Sequence, residues 1–409
     1  MKDWKIVTLG EICSFENGDR GENYPSKSVQ TVSGIPFINA GHLSESGIDF
    51  SSMNYIPRQR FELLKKGKIQ KDDILFCLRG SLGKVASVGS LSEGAIASSL
   101  VIIRSSSVVL NKFLLAYFQS NLCAEMIQIF RNGAAQPNLS AASLKKFRIP
   151  LPPLPEQKRI VAILDEAFEG IDRAIANTEK NLTNSRKLFE SYLNAIFTQK
   201  GDGWVEKKLE DICSITSKLV DPRQPKFLDL PHIGAGNMIP LIGELVEVKT
   251  AREEELKSGK FLFDETMVLY SKIRPYLMKA CRPEIKGLCS ADVYPLLPND
   301  GQLNRDFLFY LLMSRDFTNY AIAGSDRAGM PKVNRDHLFR YSTWFPSLSK
   351  QINLAKKIDE IASQTQRLEA IYRQKLAALN ELKQSILQKA FTGEPTADTS
   401  KTAKEEIAA

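Results

Sequence analysis

Residues 156–199 read EQKRIVAILDEAFEGIDRAIANTEKNLTNSRKLFESYLNAIFTQ, and this stretch decides the architecture. The lead-in Pro150-Leu151-Pro152-Pro153-Leu154-Pro155 is extended, because proline fixes φ and disfavours helix in the residue before it. Beyond Pro155 there is no proline until Pro222 and no glycine from Ile171 to Lys200. Leu164, Phe168, Ile171, Ile175, Thr178, Leu182, Ser185, Phe189, Tyr192 and Ile196 step alternately by four and three, and eight of the ten are apolar or aromatic. Such a row is a heptad seam, which asks for a second long helix against it. At 1.5 Å per residue the helix would be about 65 Å long, more than a small domain needs, so it reads as a spacer.

The expected partner lies in the same chain. Between about Lys350 and Phe391, the row Ile358, Ile361, Thr365, Leu368, Tyr372, Lys375, Leu379, Leu382, Ile386 steps by three and four, with seven of nine apolar or aromatic. Thr365 and Lys375 weaken a zipper but can set its register. The competing reading makes each segment a core helix of its own domain, but the length and scarcity of breakers speak against it.

The sequence starts again after the first helix. Trp4, Leu9, Ile12, Cys13 and Ser14 match Trp204, Leu209, Ile212, Cys213 and Ser214 at an offset of 200. Pro36, Ile38 and Gly41 match Pro231, Ile233 and Gly236 at 195, and the offset settles at 194 for Phe113/Phe307, Gln157/Gln351 and Phe197/Phe391. A drift of only six residues (200 − 194) marks a duplication. The layout is a globular region over 1–155, a helical region over 156–200, a second globular region over 201–349, a second helical region over 350–393, and a polar tail over 394–409 expected to fray. Apolar β-branched runs at 73–78, 100–103 and 266–270 predict strands, and Phe113 to about Phe130 and Phe307 to about Ala321 predict amphipathic helices. The expected fold class is therefore α+β: two similar globular domains separated by two long helices that pack as an antiparallel coiled coil, with an internal pseudo-twofold.

Composition bounds the function. At 43% hydrophobic and 25% charged residues, the chain falls among globular proteins rather than disordered ones. No apolar run approaches the roughly 18 residues of a membrane helix, and Met1 to Val7 lacks the apolar core of a signal peptide, so a cytoplasmic location is expected. Six cysteines show no Cys-x-x-Cys spacing and three histidines (His42, His232, His337) lie far apart, which speaks against zinc and for a reduced compartment. A net charge of +8 favours an acidic partner, nucleic acid being the commonest.

Two pairs of loops are candidates for that contact. Arg79-Gly80-Ser81-Leu82-Gly83-Lys84 resembles part of a phosphate-binding loop, but the glycine spacing and the Ser/Thr after the lysine are missing, so nucleotide hydrolysis is not expected. Arg79 and Lys84 are expected to meet DNA phosphates, as are Lys272, Arg274 and Lys279 at the equivalent place. A second loop supplies Arg131, Gln136 and Asn138, matched by Arg327 and Lys332, with donors and acceptors suited to base edges. Both loops also read plainly as turns, the second with a helix cap at Ser140 or Asn334. No Ser/His/Asp or Cys/His grouping repeats between the halves, and neither a methyltransferase nor a dinucleotide signature occurs, so catalysis by this chain alone is not expected.

At this point a family resemblance emerges. The junction Ile149-Pro150-Leu151-Pro152-Pro153-Leu154-Pro155-Glu156-Gln157, the helix end 382–393, the Trp4 and Trp204 openings, and the stretches 271–277 and 327–335 resemble those of specificity subunits of type I restriction-modification systems. The second junction departs from the pattern, with Pro346-Ser347-Leu348-Ser349-Lys350-Gln351 in place of the fuller proline run. The resemblance implies two target-recognition domains, each gripping one half of a bipartite DNA target, with the helices fixing the spacer. It also implies two methyltransferase subunits and two restriction/translocase subunits docked on the helices. S-adenosylmethionine, ATP and Mg would be bound by those partners and none by this chain. The alternative from the residues alone is a coiled-coil assembly adaptor whose globular ends bind proteins.

Overall fold

A computed structural model describes residues 4–44, 47–133, 137–325 and 331–393. The polar tail over 394–409 lies outside the described residues. The chain forms two compact units, one of residues 1–179 with the C-terminal segment from Gln374, the other of Lys180–Arg373.

In the first unit a four-stranded antiparallel sheet has the order Cys13–Asn17, Leu100–Ser105, Ile74–Cys77, Val85–Ser87. In the second the order is Cys213–Ser214, Val293–Pro298, Val268–Ser271, Ala280–Cys281, the same topology. The central strand Ile74–Cys77 is apolar throughout because both its faces are covered. Ile74 and Phe76 enter one core cluster, while Leu75 and Cys77 enter another on the opposite face. A second sheet follows in each unit, three-stranded in the first and five-stranded in the second, with a parallel pair in each: Ile35–Ile38 beside Ala95–Ile96, and Pro231–Ile233 beside Gly287–Cys289. Each globular region is closed by pairing its first strand with its last, Lys5–Thr8 with Arg148–Leu151 and Val205–Lys208 with Ser342–Phe345.

The expected helix from Phe113 to Phe130 is two helices, Asn111–Gln119 and Asn121–Phe130, and its counterpart is likewise split into Arg305–Leu312 and Arg315–Ala323. At both breaks a buried serine turns its hydroxyl onto the carbonyl three residues back: Ser120 to Tyr117 and Ser314 to Leu311, each at 2.7 Å. That local bond competes with helix continuation.

The two long helices run Leu154–Thr198 and Leu348–Thr392. The first begins inside the proline lead-in, where Pro155 suits a first turn that has no N–H partner to lose. In the first unit, Ile160, Leu164, Ala167 and Ile171 share a core with Leu379, Ile386, Ala390 and Phe391 and with the globular residues Phe113 and Tyr117. In the second, Leu193 and Phe197 join Ala355, Ile358 and Phe307. Phe391 stacks near Phe113 at 5.0 Å between centroids and Phe197 near Phe307 at 5.1 Å, the same contact made twice by matched residues. Lys383 reaches Asp172 within the first unit and Arg186 reaches Glu369 within the second.

Of the seam positions, Leu164, Ile171, Ile358, Leu379 and Ile386 are buried, and Phe168, Ile175, Leu382, Phe189 and Ile196 pack against the cores. Leu182, Ile361 and Tyr372 are half-buried. Leu368 departs from the row at 42% exposure, and the adjacent Glu369 turns inward with its side chain 15% exposed. A straight helix drifts about 20° per heptad from a 3.5-residue repeat, which moves a strict row off the contact line.

Glu369 accepts from Arg186 at 2.9 Å and from Arg373, and the Arg186 hydrogen bond holds its carboxyl below the usual range. A depressed carboxylate stabilises the folded state fully above its unfolded pKa near 4.5, and that contribution is lost as pH falls through the folded value. Glu369→Gln is therefore expected to destabilise the second unit by about 0.5–1 kcal/mol at neutral pH, the half-exposed Arg186 limiting the effect, and by much less near pH 3. Urea unfolding of both proteins at the two pH values measures this, and equal differences at both would remove the pair from the stability balance.

At the foot of each helix the charge arrangement differs between copies. Lys112 pairs with Asp165 at 2.6 Å in the first unit. The matched positions, Asp306 and Asp359, are both acidic in the second, and Arg282 sits between them at 3.1 and 2.8 Å. The inserted cation offsets a like-charge contact that the duplication would otherwise carry.

Candidate nucleic-acid interface

The first candidate loop is the turn between strands Ile74–Cys77 and Val85–Ser87. Cys77 N–H donates to the Lys84 carbonyl at 2.8 Å, and Gly83 N–H donates back to Cys77 at 3.0 Å. Gly80 and Gly83 have φ of +77° and +86°. At Gly83 a β-carbon would lie 2.7 Å from Ile127, so the glycine is needed for space as well as for conformation. The second candidate loop returns alongside the first. Leu139 N–H donates to Leu78 at 2.9 Å, and Asn138 bridges to both Arg79 and Asn132.

This pairing joins two loops about fifty residues apart in sequence around an open cavity of about 470 Å³. Gly80, Ser81, Lys84, Gln128, Arg131 and Pro137 line it. Arg79, Lys84, Arg131 and Asn138 are all exposed. The Lys84 ammonium also donates to the Ala40 carbonyl at 3.2 Å, which positions the end of its side chain. Gln128 was not singled out from sequence, and its only signal is its place one helical turn before Arg131. Gln136 lies outside the described residues.

The second unit builds the same frame from different residues. Ser271 N–H donates to Lys279 at 3.0 Å, Val333 N–H to Lys272 at 2.8 Å and Arg274 N–H to Pro331 at 2.9 Å, so the segment 331–333 returns along the turn as 137–139 does. Lys279 donates to the Ala235 carbonyl at 2.7 Å, the counterpart of Lys84 on Ala40. The cations differ in availability, however. Arg274 is exposed, whereas Lys272 and Lys332 share the carboxylate of Asp292 at 3.4 and 3.2 Å, and Lys272 also lies 5.3 Å from the centre of the Tyr294 ring. A carboxylate so close cancels much of the field these two lysines would project. Arg327 lies outside the described residues.

His42 and His232 are both engaged in structural contacts. His42 accepts from the Asn39 N–H at 3.1 Å and faces the Ser52 carbonyl at 3.1 Å, and His232, on the strand Pro231–Ile233, contacts Glu254 at 2.7 Å. Among the described residues no three His, Cys, Asp or Glu side chains gather as a metal site, and no helix is long and apolar enough to cross a membrane.

Comparison with known proteins adds to this geometry. The family described as "Type I restriction modification DNA specificity domain" matches residues 1–183 and again 201–380. The type I restriction enzyme EcoDI specificity subunit of Escherichia coli is 26% identical over 421 residues, spanning 97% of this chain and 89% of that protein. The EcoKI specificity subunit of Escherichia coli strain K12 is 22% identical over 430 residues, spanning 96% and 89%. The crystal structure of the HsdS subunit from Thermoanaerobacter tengcongensis shares the fold with a TM-score of 0.55 at 20% identity, covering 96% of this chain and 98% of that one. A chain from a structural study of complex assembly and conformational transition of the type I R-M system shares it at 0.77, with 19% identity and 97% and 99% coverage.

Proposed function

Because the chain belongs to the type I restriction modification DNA specificity family, we propose that it reads a bipartite duplex target, the first unit recognising one half and the second the other. It is a DNA-recognition subunit and not an enzyme. The protein-binding adaptor reading is not favoured, since the family match covers both halves. The observation that carries the proposal is the doubled loop frame: one turn and one returning segment, built twice, each presenting arginine to solvent from a rigid hairpin. Arginine on such a frame suits phosphate and base-edge contacts.

Its partners are DNA and the methyltransferase and restriction subunits of a type I complex. We assign two copies of each subunit, docked on the helical regions 156–200 and 350–393, with S-adenosylmethionine, ATP and Mg bound by them in the cytoplasm. Recognition domains over 1–155 and 201–349 leave the helices to set the spacer. In the loops, Arg79, Lys84 and Arg274 contact phosphates, Arg131 and Asn138 offer donors and acceptors to base edges, and Lys272, Lys279 and Lys332 buttress the second turn.

Fluorescence anisotropy on target duplex with the assembled complex, across a salt series, tests this. Arg79→Ala and Arg274→Ala are each expected to weaken binding and to reduce the slope of log K against log salt by about one. A slope unchanged in both variants would take these arginines off the DNA.

A further inference from the structure

Six non-glycine residues among those described have a positive φ, and five of them fall between Leu241 and Met278. Three meet at one place. Arg274 and Met278, at φ +49° and +47°, bracket the turn Pro275–Leu277, and Leu241, at φ +65°, donates its N–H to the Met278 carbonyl at 3.2 Å. A β-carbon disfavours this backbone region. The first unit uses the same conformation at the matched turn but places Gly80 and Gly83 there. Glycine would thus satisfy the second turn as well, and arginine and methionine stand there against local preference. Strain kept where glycine would relieve it points to function in that loop.

The two turns also differ in length. Between the left-handed residues the first has Ser81 and Leu82, whereas the second has Pro275, Tyr276 and Leu277. The additional residue is held firmly. Leu277 N–H donates to Arg274 and Met278 N–H to Pro275, each at 2.9 Å, Pro275 is buried, and the turn rests on the helix Arg315–Ala323. Tyr276 is nevertheless 54% exposed. A single exposed aromatic is unremarkable by itself. This one projects from a proline-fixed turn beside the exposed Arg274, so little side-chain and backbone freedom remains to be lost on contact. An aromatic ring with an arginine beside it is the combination that packs on base faces and on the apolar edges of base pairs.

We propose that Tyr276 is a specificity-determining residue of the second unit, its ring packed against a base of that unit's half-site. The inference rests on the DNA-reading function above and adds a residue to it. The test uses the complete complex carrying Tyr276→Ala or Tyr276→Phe, titrated against target duplexes with each single-base substitution in turn. In Tyr276→Ala, discrimination at one or two adjacent positions of the second half-site should fall by about 5- to 100-fold, with the first half-site and the melting temperature unchanged. Tyr276→Phe, which keeps the ring, should discriminate as the natural protein does. The proposal is overturned if Tyr276→Ala leaves every single-base penalty as it was, weakens all duplexes equally, or alters the first half-site. Failure of the underlying reading looks different: the unsubstituted complex would then show no base preference that moves when residues 201–349 are exchanged.

Discussion

Replacing residues 1–155 with the corresponding region of a relative that reads another target changes one half of the recognised sequence and leaves the other half as it was. The expectation follows from how the first unit is built. Its sheets, the turn at Gly80 to Lys84 and the returning segment at 137–139 are made from its own globular region. What the exchange must preserve is the seat on the helices, where Phe113 and Tyr117 lie 5.0 and 6.0 Å from Phe391. Each mismatched base pair costs about 1–3 kcal/mol, so three altered positions shift preference between old and new half-sites by about a hundredfold or more. Sequencing the modified bases in a host that expresses the chimera with its partner subunits reports both halves at once. A change in both halves would end the one-unit, one-half division.

The frame of this protein is legible in its sequence because its signals are long or doubled. A heptad row from Leu164 to Ile196 survives local exceptions such as Thr178, and a repeat with a drift of six residues shows even where the residues themselves diverge. Short-range decisions are less visible. Ser120 and Ser314 read as ordinary small residues in amphipathic helices, yet their hydroxyls end those helices, and whether a serine does so depends on the packing that buries it. The two candidate loops of each half could be found separately. That Arg79 and Asn138 come into register is a tertiary fact, set by the pairing of Leu139 with Leu78. Net charge misleads for the same reason. Lys272 and Lys332 count as two free cations in sequence, but Asp292, twenty residues beyond the first and forty before the second, lies between them in space.

Gln157 and Gln351 show a signal that sequence displayed without its meaning. Each is nearly inaccessible, at 0% and 1% exposure, one turn into its long helix. Gln157 accepts from the Leu110 N–H at 2.9 Å and donates to the carbonyls of Val108 at 2.9 Å and Pro152 at 2.8 Å. Gln351 repeats all three bonds on Asn304, Gln302 and Pro346 at 2.9, 3.0 and 3.0 Å. One amide therefore ties the strand-to-helix junction to the loop that leads into an earlier helix of the same globular region, Asn111–Gln119 or Arg305–Leu312, which fixes how the long helix departs from it.

Replacing that amide by methionine keeps the volume and strands three buried backbone groups. Since an orphaned buried polar group costs about 1–3 kcal/mol, Gln157→Met and Gln351→Met should each lose about 3–5 kcal/mol, partial hydration of the loop limiting the sum. A carboxylate in the same place could accept but not donate, and it would bury a charge, so Gln157→Glu should be worse still. The two units have separate cores, so two-state unfolding is not assumed for the whole chain. Denaturant unfolding followed by hydrogen exchange should locate the Gln157→Met loss in residues of the first unit and the Gln351→Met loss in the second. Protection that falls equally in both units for either variant would mean the junction glutamines serve the whole rod and not the domain each one holds.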